Sequence, residues 1–190
     1  TPIIQISDFS YVLIAHPAVP ARNARELIAL AKTKPGTLTY GSTGVGSGFH
    51  LAGELFCSMA GINLLHVPFK GGGTAAVVDV VAGRVDLMWD SLGVVRPYVE
   101  AGRLRVIGVT GEHRAAALPN APTIAESGLP GYHMTGWHGI LGPPGLSRGN
   151  CAKDVSPRYR LGRFFGRRAF RARSANGSLS PSNARETSPK

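Results

Sequence analysis

The sequence predicts an α/β domain built on a mainly parallel sheet flanked by helices. Three observations predict it. Strand-like and helix-like segments alternate from Tyr11 to about Gly145, glycine-rich stretches separate several strands from the helices that follow, and a chain of 190 residues that is 43% hydrophobic can bury the core of one ordinary domain.

Taken in order, "YVLIAH" (11–16) is a strand and "NARELIALAKTKPG" (23–36) a helix with Leu27, Leu30 and Ala31 on one face, ended by Pro35-Gly36. "TLTY" (37–40) is the next strand and leads into "GSTGVGSG" (41–48). Leu51, Leu55 and Met59 then recur every four residues, which predicts the buried stripe of a helix that Gly61 terminates. "NLLHVPF" (63–69) is a strand, "KGGG" (70–73) a loop, and "TAAVVDVVAG" (74–83) a helix with Thr74 as N-cap. "RVDLMWD" (84–90), "GVVRPYVEAG" (93–102) and "LRVIGVT" (104–110) continue as strand, helix and strand. Prolines 119, 122 and 130 then predict a surface path around one short helix at Ile124 to Ser127, before "YHMTGWHGILGPPG" (132–145) forms a last strand with a Pro-Gly stop.

The net charge of +10 invites a nucleic-acid reading, but its distribution argues otherwise. Residues 1–150 hold 11 Lys/Arg against 9 Asp/Glu, a net of +2, while residues 151–190 hold 10 against 2, a net of +8. That basic segment has no helical or strand period and no zinc-finger, helix-turn-helix or RNA-stacking motif, so it is expected to carry little packed structure, and no nucleic-acid partner is expected. The chain is therefore divided into an α/β lobe at 1–148 and a basic tail at 149–190. No apolar run approaches the roughly 20 residues of a membrane span, and no signal peptide is visible. Cys57 and Cys151 are too few for a disulfide framework or a thiolate metal site; Cys57 reads as a buried helix residue.

The chemistry concentrates in loops. A glycine stretch between strand and helix exposes unpaired amides at the positive end of a helix dipole, where an anion is stabilised by about 0.3–1 kcal/mol. Ser42, Thr43, Gly44, Val45, Gly46 and Ser47 form such a stretch, with hydroxyls added to the amides. Nucleotide motifs fail on spacing. No lysine occurs between Lys34 and Lys70 to make a P-loop, Gly44, Gly46 and Gly48 run G-x-G-x-G, and Val45 stands where a nucleophile elbow around Ser47 needs glycine. Loops at the C-terminal ends of parallel strands gather on one rim. The rim would then combine the Ser42–Ser47 stretch with Lys70, Gly71, Gly72 and Gly73, and with Asp90 in "DSL" (90–92). Lys70 supplies a positive charge and Asp90 a hydrogen-bond acceptor or a helix cap. His50 lies on the first turn of the following helix, Trp89 reads as core, and Trp137 with His138 as rim. No cofactor, metal-ligand spacing or Ser-His-Asp set is apparent, so the residues point to binding, with no enzymatic role.

These residues resemble the solute-binding receptors of tripartite tricarboxylate transporters, often called the Bug family. The likeness runs from residue 8 to about 148 through "YGSTGVGSGFHLAGELF", "HVPFKGGG", "GRVDLMWD", "AGRLRVIGVT" and "LPNAPTIAESGLPGY" in family order. It implies a periplasmic binding protein-like (type II) fold, of which this chain is essentially one lobe. It further implies a monomeric receptor that closes two lobes over a small carboxylate or amino-acid-like solute in the periplasm and delivers it to membrane transporter subunits. The resemblance places the solute against Ser42 to Ser47, Lys70 to Gly73 and Asp90.

Two departures from the family pattern accompany the resemblance. The chain opens near the first crossing between lobes, without the strand and Pro-Gly-Gly loop of the opposite cleft wall. After "GPPGLSR" the texture becomes Arg-rich and aperiodic, as a shifted reading frame in a G+C-rich gene would produce. A single lobe cannot trap solute by closure, so weak or absent binding by the isolated chain is expected. A basic-tailed nucleic-acid-binding protein and a degenerate fragment are the alternative readings.

Overall fold

The computed structural model describes residues 2–144; the expectation for the tail at 149–190 lies outside them. Ten elements follow in chain order: β1 Pro2–Ala15, α1 Ala24–Thr33, β2 Thr39–Ser42, α2 Gly48–Ala60, β3 Leu65–Pro68, α3 Gly72–Val81, β4 Leu87–Ser91, α4 Leu92–Glu100, β5 Arg105–Val109 and β6 Thr135–Leu141. The sheet runs β3-β2-β4-β1-β5, with β6 paired to β1. Parallel pairing holds across β3-β2-β4, whereas β1 is antiparallel to β4, β5 and β6, so the sheet is mixed and its parallel part is the edge that carries the glycine loops.

β1 belongs to two layers of pairing. Its first part forms a ribbon with β6, with Asp8 opposite Trp137 and Ser10 opposite Thr135. Its last residues enter the central sheet, with Val12 opposite Asp90 and Val109. Alternation along that end sends Tyr11, Leu13 and Ala15 into the core beneath α1 and α2, and Val12 and Ile14 into the core beneath α3 and α4. The same alternation on β4 sends Leu87 and Trp89 to the first core and Met88 to the second.

Helix α1 starts at a capping box. Asn23 Oδ1 accepts from Glu26 N at 3.0 Å, and Glu26 reaches back to Arg22 N at 2.7 Å. It buries Ala24, Leu27 and Ala31, with Leu30 only partly covered. Helix α2 reverses the expected orientation. Ala52, Gly53, Phe56 and Ala60 are buried, and Leu51, Leu55 and Met59 face outward. Small residues let this helix lie close to the sheet. A Cβ on Gly53 would meet Tyr40 Cε2 at 2.6 Å, so the larger side chains take the other side.

Two further expectations are corrected. The N-cap of α3 is Gly71, and Thr74 lies inside the helix. Residues 124–127 make a single hydrogen-bonded turn instead of a helix. Thr123 Oγ1 accepts from Glu126 N, and Glu126 accepts from Thr123 N, as at a helix start. The turn stops at Gly128, whose φ of +147° and close approach to the Arg25 backbone suit glycine alone. Cys57 is partly buried, and desolvation pushes its thiol up to about 11.

Candidate functional site

Each of the three parallel strands runs almost directly into a helix: β2 through residues 43–47 into α2, β3 through residues 69–71 into α3, and β4 with no intervening residue into α4. The positive ends of three helix dipoles therefore collect on one edge of the sheet. The expected "DSL" loop does not exist, because Ser91 is both the last residue of β4 and the N-cap of α4.

The loops meet. A Cβ built on Gly73 would lie 3.2 Å from Asp90 Oδ2 and 3.8 Å from both Thr43 Cγ2 and Phe49 Cε2. Glycine at this position lets the exits of all three parallel strands pack together with no side chain between them. Sequence reasoning identified Thr43, Gly73 and Asp90 separately; the fold brings them together. Gly72, with φ +82°, turns the chain into α3, and exposed Lys70 makes no ion pair among the described residues.

The 43–47 loop is held from beneath. Ser42 is fully buried, and its Oγ accepts from Gly44 N at 3.0 Å while lying 2.6 Å from His66 Nε2. Gly46 N donates to His50 Nδ1 at 3.3 Å, and Ser47 Oγ accepts from His50 N at 3.3 Å as the cap of α2. Gly44 and Gly46 have φ of +122° and +81°, values that non-glycine residues rarely adopt, and nothing crowds either one. With both glycines turned this way, the Thr43 and Val45 amides take no acceptor among the described residues. Val45 itself is 80% exposed at the loop tip.

Beneath the loop, the His66 ring stacks on Tyr40 at 4.9 Å and lies 4.3 Å from His50. Tyr40 donates to Glu54 Oε1 at 2.5 Å. Desolvation, reinforced by His50, lowers the His66 pKa, so the imidazole that supports Ser42 is favoured in its neutral form.

Asp90 is buried, at 1% exposure. Its Oδ1 accepts from Ser91 N at 2.6 Å and lies 3.2 Å from Ser91 Oγ, while Oδ2 is buried against Gly73 with no hydrogen-bond partner among the described residues. Desolvation raises its pKa, against the lowering effect of the two Ser91 hydrogen bonds.

Sequence reasoning missed Tyr11 and Phe49. Their rings meet edge-to-face at 5.3 Å, and the aromatic row continues through Phe9 to His138. The Tyr11 hydroxyl fills the space that a Cβ on Gly48 would need, so this loop glycine serves close approach. Burial raises the Tyr11 pKa, with a further contribution from Asp90. The available signal was an aromatic residue with a polar tip at the start of the "YVLIAH" strand. Trp89 is core, as expected, and Trp137 on the ribbon is 60% exposed.

A family model described as the tripartite tricarboxylate transporter family receptor matches residues 1–152. A UPF0065 protein from the tcbD-tcbE intergenic region of Pseudomonas sp. (strain P51) is 40% identical over 148 residues, covering 77% of this chain and 44% of its own length. Among solved structures, R. palustris Rpa4515 with adipate superposes with a TM-score of 0.73 at 36% identity, covering 80% of this chain and 51% of that one. MatC from Rhodopseudomonas palustris with bound malate gives 0.74 at 25% identity, covering 80% and 52%. The chain spans about half the length of the relatives it matches.

Proposed function

The chain belongs to the tripartite tricarboxylate transporter receptor family, and from that premise we propose that it supplies one ligand-gripping lobe of a solute-binding receptor. The receptor works in the periplasm, captures a small carboxylate-bearing solute and passes it to membrane transporter subunits. The observation that carries this reading is the meeting of Thr43, Gly73 and Asp90 at three helix N-termini, beside a loop whose Thr43 and Val45 amides have no acceptor among the described residues. A ligand carboxylate accepts from the free amides of the 43–47 loop and from those at the start of α3. Such charge-assisted bonds are worth about 1.5–3 kcal/mol each. Gly72, with nothing crowding it, lets the ligand approach the backbone at the start of α3, and the Tyr11–Phe49 pair packs beneath the loop that opens α2. The bound adipate and malate of the two structural relatives are consistent with this chemistry.

The reading is one of binding without turnover. The hydroxyl nearest an imidazole, that of Ser42, is fully buried and spent on Gly44 and His66, so no substrate reaches it.

Amide chemical shifts of the 190-residue chain, followed by NMR during titration with adipate to about 10 mM, test the proposal at the weak affinity expected of one wall of a cleft. Shifts should concentrate at Thr43 to Ser47 and Gly71 to Gly73. Shifts confined to other surfaces would refute it.

A further inference from the structure

The 43–47 loop is tied down at two points, and each tie ends on an imidazole. Ser42 Oγ accepts from Gly44 N at 3.0 Å and lies 2.6 Å from His66 Nε2, while Gly46 N donates to His50 Nδ1 at 3.3 Å. The two ties respond differently to a proton. Ser42 Oγ also lies 3.2 Å from Gly44 O, so a proton on His66 Nε2 only turns the hydroxyl hydrogen to that carbonyl, and the oxygen then accepts from both Gly44 N and His66. Gly46 has no such substitute. Its amide has no other acceptor among the described residues, and it needs the bare lone pair of His50 Nδ1; a proton there sets two donors face to face.

We propose that His50 is a proton-operated latch on this loop: as the neutral imidazole it holds the Gly46 amide, and on taking a proton at Nδ1 it releases that amide, so that the loop tip loosens in mildly acidic surroundings. The hinge is already in place. Gly44 and Gly46 have positive φ with nothing within 4 Å of where a Cβ would sit, and Val45 between them is 80% exposed. The far end stays anchored, because Ser47 caps α2 through the His50 amide and not through its ring. Only one proton moves. It passes from solvent to Nδ1, the proton on Nε2 remains, and no bond between heavy atoms changes. The latch is a property of the loop itself, goes beyond the receptor reading and does not depend on it.

The groups around His50 favour one proton on the imidazole pair and direct it to this ring. From β3, the His66 ring lies 4.3 Å away, too close for both rings to be charged without mutual repulsion, and burial followed by His50 itself favours neutral His66. On α2, Glu54 Oε1 lies 3.9 Å from His50 Nε2 and attracts a positive charge there, while the Cys57 thiol, pushed up to about 11, stays uncharged. From β2, the Tyr40 ring stacks on His50 at 6.4 Å and its hydroxyl is held protonated by burial and by Glu54. From β1, Tyr11 meets the first residue of α2, and its hydroxyl is held protonated as well. Lys70, after β3, and Asp90, on β4, make no ion pair with His50 among the described residues. The His50 side chain is 16% exposed, so protons from solvent reach it.

The test is a 15N NMR titration of the ligand-free 190-residue chain from pH 8 to 5, a range that spans the ordinary imidazole value of about 6.5. At pH 8 the His50 ring should show a bare Nδ1 and its proton on Nε2. As Nδ1 gains a proton, the Gly46 amide should shift with the same midpoint, and its protection from hydrogen exchange should fall about two- to tenfold, the net worth of one hydrogen bond. Gly44, tied to Ser42, should keep its protection. His50→Asn puts an amide oxygen close to where Nδ1 stands and does not titrate, so Gly46 should hold its pH 8 shift and protection throughout. His66→Gln removes the second imidazole and should leave the Gly46 transition in place. The wild-type titration needs neither variant to fold. A proton on His50 Nδ1 at pH 8, or a Gly46 amide that does not follow the His50 midpoint, would overturn the latch. So would a Gly46 transition that persists in folded His50→Asn or disappears in folded His66→Gln. None of these outcomes bears on the receptor reading, which the adipate titration tests separately.

Discussion

Replacing Gly73 by alanine should separate binding from stability. Gly73 sits in the first turn of α3 with no positive φ, so its backbone accepts alanine, and alanine is favoured over glycine inside helices by about 0.5–1 kcal/mol. The added methyl would stand 3.2 Å from Asp90 Oδ2 and in ordinary contact with Thr43 and Phe49. That requires a shift of a few tenths of an ångström, so net stability should stay within about 1 kcal/mol of wild type, or roughly 2–4 °C in melting temperature. Binding should respond more strongly, because relieving the methyl's contact shifts the start of α3 relative to the 43–47 loop and its amides. Losing one charge-assisted hydrogen bond of about 1.5–3 kcal/mol corresponds to roughly 10- to 100-fold weaker carboxylate affinity. Urea unfolding and an adipate titration of the same sample measure both quantities. Undiminished affinity would refute the placement of the ligand at these strand exits, and destabilisation beyond about 2 kcal/mol would refute the packing estimate. Gly72→Ala is the complementary control. With φ at +82° and nothing within 4 Å of the new Cβ, it should cost about 1–2 kcal/mol of stability through backbone strain alone.

Other perturbations have equally definite outcomes. Gly53→Ala drives a methyl into the buried ring of Tyr40, and calorimetric melting should report a loss of about 1–3 kcal/mol. Ser42→Ala leaves Gly44 N and His66 without their shared partner; a lower denaturant midpoint, corresponding to about 1–3 kcal/mol, and faster amide exchange at Gly44 are expected. For Asp90, burial lifts the folded-state pKa above the unfolded one, so its contribution to stability is complete below about pH 4 and is lost as pH rises through the folded value. Asp90→Asn should therefore gain on wild type as pH increases, and parallel stability curves from pH 4 to 8 would contradict this.

The site loops were legible because their requirements are local. Positive φ at Gly44 and Gly46, close approach at Gly48 and Gly73, and a charge at the end of an apolar strand all leave marks in a few adjacent letters. What escaped was tertiary. The four-residue recurrence of Leu51, Leu55 and Met59 is a real stripe, but the sheet accepts the side of α2 with Gly53 and Ala52, because a helix lying against Tyr40 has no room for leucine. The direction of β1 was hidden for a different reason. A fully buried strand carries apolar residues on both faces, and that pattern is the same in parallel and antiparallel neighbours. Tyr11 was overlooked because its role depends on Gly48 and Gly136, 37 and 125 positions away in the sequence.

Because one uninterrupted strand supplies both the ribbon with β6 and the centre of the sheet, the two are mechanically continuous, and Tyr11 stands at their junction with its hydroxyl against Gly48 on one side and Gly136 on the other. Any displacement of the ribbon relative to the sheet would therefore have to be accommodated at the tyrosine ring, which is wedged against the residue that opens α2.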